Sequence, residues 1–265
     1  MVEAIYSTVT VCGASIQMKR AGAGQPMVML HGAGGSPRFL PAMQALAHQF
    51  EVIVPQAPGF GGTAAPPWLE TIVDLANFYL EFLDVFDLRN VHLVGLSLGG
   101  WTAAELAVRN SSRLATLTLM DAPGITVPGL EPHDPSRLGE EEAVRRTYFD
   151  PKLAEEAIAR TFNPANESQR RANRRIVEKL ARQHGFHDSQ LQRWLHRIHI
   201  PTLIIWGEND QHFPPVYGET WQKAIPGSRL VRLARCGHLP IQEQPEQFAA
   251  RVAEFCSDRS VEHRL

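Results

Sequence analysis

The residues with the clearest chemistry lie in Gly95-Leu96-Ser97-Leu98-Gly99-Gly100. The apolar run His92-Leu93-Val94 precedes them and an alanine-rich helical stretch follows, which puts Ser97 on a strand-to-helix turn. Such a turn tolerates only small neighbours. It strains the serine backbone and points the hydroxyl out of the sheet at a helix N-terminus, where negative charge is favoured. An N-cap serine on an ordinary turn would share the string, but the strand before it and the helix after it favour a nucleophile.

A serine hydroxyl attacks only when a neighbouring base takes its proton, and histidine is the side chain that titrates in the working range. Of eleven histidines, His238 is best placed, in the loop Arg235-Cys236-Gly237-His238-Leu239-Pro240. The base needs an acid to fix its tautomer. Asp210 fits, just past the apolar run 202–206. Asp121, at the end of Leu117-Thr118-Leu119-Met120, is the rival. The glycine-rich turn His31-Gly32-Ala33-Gly34-Gly35 could supply an oxyanion hole, with the N–H groups of Ala33 and Leu98 as the expected donors. His31 reads as a structural residue of that loop. A phosphate loop is a poor reading, because G-x-x-x-x-G-K-[ST] and G-x-G-x-x-G are both missing there.

Elements must carry these residues to one place. A hairpin is expected around Cys12-Gly13 within 2–18, then strands over 26–30, 51–54, 91–96, 114–120, 202–206 and 229–233. Helices are expected over 38–49, 69–88, 98–109, 214–224 and 243–256. Strands alternating with helices imply a mostly parallel sheet covered on both faces. Residues 125–198 break the rhythm with prolines (Pro128, Pro132, Pro135) and four helical stretches, over 139–148, 151–162, 166–184 and 188–196. The expected organisation is therefore a core of 1–124 and 199–265 with a helical lid of 125–198 over the C-terminal sheet edge, inserted after the sixth strand.

Composition narrows the classes. The chain has 265 residues, 44% hydrophobic and 20% charged, enough to bury a core without staples. Lys plus Arg number 26 against 28 Asp plus Glu, so no basic surface calls for nucleic acid. Three cysteines, Cys12, Cys236 and Cys256, lack disulfide or zinc spacing. With no signal or membrane-spanning run visible, a cytoplasmic protein is expected. The pairs His184/His187 and His196/His199 lack partners for a metal, and Trp101 reads as core.

With these motifs in place, the chain resembles the α/β-hydrolase superfamily from the hairpin to the last helix. Ala57-Pro58-Gly59-Phe60-Gly61-Gly62-Thr63 resembles that family's loop after its fourth strand. The resemblance implies a serine hydrolase needing no cofactor: Ser97 as nucleophile, His238 as base, Asp210 as acid, Ala33 and Leu98 as oxyanion donors. Dehalogenases and epoxide hydrolases of this fold use an aspartate nucleophile and are disfavoured. Its carbon–carbon bond hydrolases often carry Asn before the serine and Trp after the histidine, where this chain has Leu96 and Leu239. A small carboxylic ester, lactone or thioester is thus the expected substrate, with a ring-fission diketone as the alternative and a ligand receptor as a third reading. Arg171, Arg174, Arg175 and Arg182 recur at helical spacing and could receive a substrate carboxylate, although charged helix faces more commonly meet solvent.

Overall fold

The computed structural model describes residues 2–36, 38–130, 138–181 and 185–258. Pro132, Pro135, Arg182 and His184 lie outside the described residues. Eight strands form one sheet: β1 (Ile5–Val11), β2 (Ala14–Ala21), β3 (Pro26–Leu30), β4 (Glu51–Pro55), β5 (Val91–Leu96), β6 (Leu114–Met120), β7 (Thr202–Gly207) and β8 (Arg229–Leu233). Their order is β1-β2-β4-β3-β5-β6-β7-β8. The hairpin β1–β2 and the β2–β4 pair are antiparallel, and the remaining pairs are parallel. β5 and β7 are buried along their whole length, the pattern of strands covered on both faces.

The helices among the described residues are α1 (Pro41–Leu46), α2 (Ile72–Val85), α3 (Leu98–Arg109), α4 (Glu140–Arg146), α5 (Pro151–Thr161), α6 (Glu167–Ala181), α7 (Ser189–Trp194), α8 (Val216–Ala224), α9 (Pro240–Glu243) and α10 (Pro245–Ser257). Side chains of α2, α3 and α8 fill one core layer, with Phe78, Phe82, Trp101 and Trp221 fully buried. α1 and α10 fill the other, around Met43, Phe50, Phe248 and Phe255. Trp101 is therefore core, its Nε1 donating to Glu105 Oε1 at 3.3 Å.

Boundaries differ from the sequence pattern where proline sets them. α1 begins at Pro41, later than the expected 38, because proline suits the first helical position. The last helix is two: Pro245 starts α10 and holds Gln244 out of the helical conformation (φ −135°, ψ 59°), ending α9. Between β6 and β7, the described residues form helices α4 to α7 with no strand among them. Ile176 and Leu180 of α6, with Leu191 of α7, join the core layer of α2 and α3. No described helix is long and apolar enough to cross a membrane.

Candidate active site

Ser97 stands between β5 and α3 with φ 51° and ψ −119°, a backbone conformation that L-residues adopt only under constraint. The constraint is backbone on backbone. Ser97 N–H bonds the Met120 carbonyl (2.8 Å), Gly100 N–H returns to the Ser97 carbonyl (2.7 Å), and a Cβ on Gly99 would lie 2.3 Å from the Leu30 carbonyl oxygen. The serine side chain makes no capping bond to α3, which disposes of the N-cap reading. Its Oγ lies 2.8 Å from His238 Nε2.

His238 sits between β8 and α9, and its Nδ1 lies 2.8 Å from Asp210 Oδ2. An ionised carboxylate can only accept, so Nδ1 carries the proton and Nε2 is free to accept from the Ser97 hydroxyl. Asp210 follows β7; its other oxygen, Oδ1, accepts from the N–H groups of His212 (2.7 Å) and Phe213 (3.0 Å). Burial works against the Asp210 charge, but His238, His212 and the Phe213 N–H outweigh it and hold its pKa below the usual carboxylate range. Asp121, the rival acid, is fully buried behind Asp210 and accepts the Gly207 N–H (3.0 Å). Ser97, Asp210 and His238 are 9%, 4% and 7% exposed, so the three side chains meet in a largely dry site.

The glycine-rich turn lies against the serine, with the Cβ position of Gly32 only 3.1 Å from Ser97 Cβ. Gly35 N–H closes the turn on the Gly32 carbonyl (3.0 Å), leaving Ala33 at its tip, while Leu98 opens α3 beside it. His31 is structural here. The Ala57 N–H donates to its Nε2 (2.9 Å), so Nδ1 carries the proton to the Gly32 carbonyl (2.8 Å). Burial pushes its pKa down to about 4.

Several residues at the site escape a sequence reading. Lys19 of β2 reaches the Ser36 carbonyl with its Nζ, and Gln56 Oε1 accepts the Ser36 N–H (3.1 Å). Asn173 of α6 donates to the Gly34 carbonyl (3.0 Å) and accepts the Gly61 N–H (3.1 Å). On the other side, His212 Nε2 meets the Ala143 carbonyl (3.0 Å) and the Thr147 carbonyl accepts the His238 N–H (2.8 Å). Glu243 accepts the N–H groups of Gly237 and Phe149, both at 2.7 Å. No local signal marks these partners, except that His212 stands two residues after Asp210.

The remaining candidates resolve individually. Arg170 and Arg174 are paired with Glu140, and Arg171 with Glu167, so these guanidiniums are engaged by glutamates on α4 and α6; Arg175 is exposed. Burial pushes the Cys236 thiol far up, which makes it a packing group. His187 Nδ1 meets the Gly185 carbonyl and His196 Nδ1 the Arg193 carbonyl. Phe213 places its ring 5.7 Å from that of His238, and Leu239 packs with Tyr148 and Ala154 of the insert.

A strained serine on a strand–helix turn, under an eight-stranded mostly parallel sheet, defines a hydrolase fold. The chain belongs to the alpha/beta hydrolase family, which it matches over residues 27–251, and it is an enzyme of that family. It is 28% identical over 263 residues to a 2-hydroxy-6-oxo-6-(2'-aminophenyl)hexa-2,4-dienoic acid hydrolase of Metapseudomonas resinovorans, covering 94% of this chain and 89% of that protein. Lipase 3 of Moraxella sp. (strain TA144) is 22% identical over 246 residues, covering 88% of this chain and 77% of the lipase. Among solved structures, a serine hydrolase involved in carbazole degradation superposes with a TM-score of 0.78 at 25% identity, over 97% of this chain and all of that one.

Proposed function

We propose that the chain hydrolyses a small carboxylic ester, lactone or thioester through an acyl-enzyme on Ser97. The observation that carries this reading is the relay from Ser97 Oγ through His238 to Asp210, with 2.8 Å at each step. His238 Nε2 takes the Ser97 proton as Oγ bonds the acyl carbon, and the carbonyl oxygen becomes an oxyanion between the N–H groups of Ala33 and Leu98. The carbon–oxygen bond to the alcohol then breaks, and His238 returns the proton to the leaving oxygen. A water gives a proton to His238 as its oxygen adds to the acyl carbon; the bond to Ser97 Oγ then breaks, and His238 returns the proton to Oγ, freeing Ser97 and the acid. Asp210 holds the ring tautomer and offsets the imidazolium charge throughout.

The helices of 125–198 act as a lid over the core of 1–124 and 199–265, with Leu239 and Phe213 offering an apolar wall to the substrate. An ester fits these surroundings better than an anionic substrate, because Arg170, Arg171 and Arg174 are committed to glutamates. A second reading, cleavage of a carbon–carbon bond in a ring-fission diketone, is favoured by the similarity to the Metapseudomonas resinovorans enzyme.

Hydrolysis of p-nitrophenyl acetate and butyrate by wild type and Ser97→Ala, beside a vinylogous 1,5-diketone, tests both. Ester turnover is expected to fall by about four orders of magnitude or more in Ser97→Ala. Diketone cleavage much faster than ester cleavage would establish the second reading instead.

A further inference from the structure

Asp121 is the buried acid that the Ser97–His238–Asp210 relay leaves over. It ends β6 at φ 45° with no solvent access, its own N–H bonded to the Ile205 carbonyl (3.2 Å). Oδ1 takes the Gly207 N–H, but Oδ2 is a buried acceptor for which the described residues offer no donor. Ligand atoms of Asp121, Asp210 and His238 all lie within 4.8 Å of one another.

Two carboxyls this close in a dry site do not both ionise, so one proton stays with the pair. Donor count says where it resides. Asp210 already accepts from His238 Nδ1, His212 N–H and Phe213 N–H, whereas among the described residues Asp121 accepts from Gly207 N–H alone. The donors stabilise charge on Asp210, and the proton falls to Asp121. Burial and the adjoining Asp210 charge both push the Asp121 pKa well above the usual range. Glu243 adds a further carboxyl acting on Asp121; the Cys236 thiol shares the pocket, and His212 and His238 act on Asp210.

We infer that Asp121 is a positioning residue that stands as a neutral carboxylic acid and donates its Oδ2–H to the Asp210 carboxylate. The orphaned oxygen then becomes a donor, and the pair carries a single negative charge behind His238. Asp121 loses no proton during turnover: the Ser97 proton goes to His238 Nε2 and on to the leaving group. The consequence for rate rests on the serine-hydrolase reading above, whereas the shared proton does not.

Two measurements on the intact enzyme decide the matter. In neutral buffer, the infrared difference spectrum of wild type minus Asp121→Asn should contain a protonated-carboxyl C=O band. For p-nitrophenyl acetate, Asp121→Asn keeps an Nδ2–H for Asp210 and an Oδ1 for Gly207, so kcat/KM should stay within about threefold. Asp121→Ala removes the donor, leaves the Asp210 charge less compensated, and should lower kcat/KM and move the acid limb of its pH profile up by about one unit. Absence of the band overturns the inference. So does an Asn variant as impaired as Ala, which would mean that an ionised Asp121 serves as the acid, and so does an Ala variant with lower Tm but an unmoved profile. If wild type turns over no ester, the functional reading fails and the infrared band still decides this one; if Asp121→Ala does not fold, the band and the Asn variant decide it.

Discussion

The two sides of the serine are held by different means. On the side of Asp210 and His238, the loops after β7 and β8 pack backbone on backbone: Asn209 N–H bonds the Cys236 carbonyl (2.8 Å) and Glu208 N–H the Leu233 carbonyl (3.0 Å). On the other side, the glycine-rich turn from His31 to Ser36 is held by side chains of Lys19 of β2, Gln56 just past β4 and Asn173 of α6. Where charge must meet a ring at 2.8 Å, the sheet supplies the rigidity. The glycine-rich turn instead depends on side chains, one of which, Asn173, belongs to α6, so if the turn supplies the proposed oxyanion donors, α6 and those donors are linked.

Substitutions can break this contrast. The largest effect is expected at Gly207, where an added Cβ would lie 1.9 Å from the Gly237 carbonyl oxygen and 2.6 Å from that of Cys236. Neither neighbour is a flexible side chain that can swing away. Gly207→Ala should cost about 3 kcal/mol or more by urea unfolding and abolish turnover. A wild-type midpoint would show that the strand ends can part, against the rigidity assigned to that side.

Acid should loosen the glycine-rich turn through His31. Burial lowers its pKa from 6.5 to about 4, and burial does the same to His92 inside the sheet. Folded values below the unfolded one mean that the unfolded chain takes up protons first as pH falls. Their contribution is therefore complete above pH 6.5 and lost progressively towards pH 4, on the order of a few kcal/mol in all. Urea midpoints measured across that window should fall with pH, and less steeply in His92→Gln. A flat midpoint in wild type would contradict the burial of both rings.

The smallest effect, and the most selective, belongs to Asn173. Asn173→Ala removes the donor to Gly34 and the acceptor for Gly61, which should cost about 1–2 kcal/mol in stability. If the turn depends on it, kcat should fall roughly tenfold with KM little changed, the mark of support felt mainly in the transition state. A change confined to KM would place Asn173 in substrate binding and dissolve the proposed link between insert and turn.

The chain itself carried most of the frame. β6 (Leu114–Met120), α3 (Leu98–Arg109) and β8 (Arg229–Leu233) fall where the sequence pattern puts them, because a short apolar run between turn residues and an alanine-rich stretch are local signals. Ser97, Asp210 and His238 were legible for the same reason: each lies within a few residues of a strand end, and strand ends in such a sheet converge. Lys19 was not legible, since alternation along β2 gives its face to solvent until the 31–36 turn covers it. Asn173 sits among charged residues on α6, with nothing nearby in the chain to single it out from them.

Sequence alone determined the order of strands and helices and the residue types at the three strand ends, because these depend on neighbours in the chain. Tertiary structure decided which aspartate meets His238 Nδ1, since Asp121 and Asp210 end neighbouring strands and only the β7 loop turns its carboxylate to the ring. It also decided that Arg170, Arg171 and Arg174 of α6 pair with glutamates and that a lysine, a glutamine and an asparagine hold the glycine-rich turn. Those choices depend on groups far apart in the chain meeting in space, from 17 to 139 residues apart at the glycine-rich turn, and inside the site an unpaired polar atom is costly, so each must find its partner.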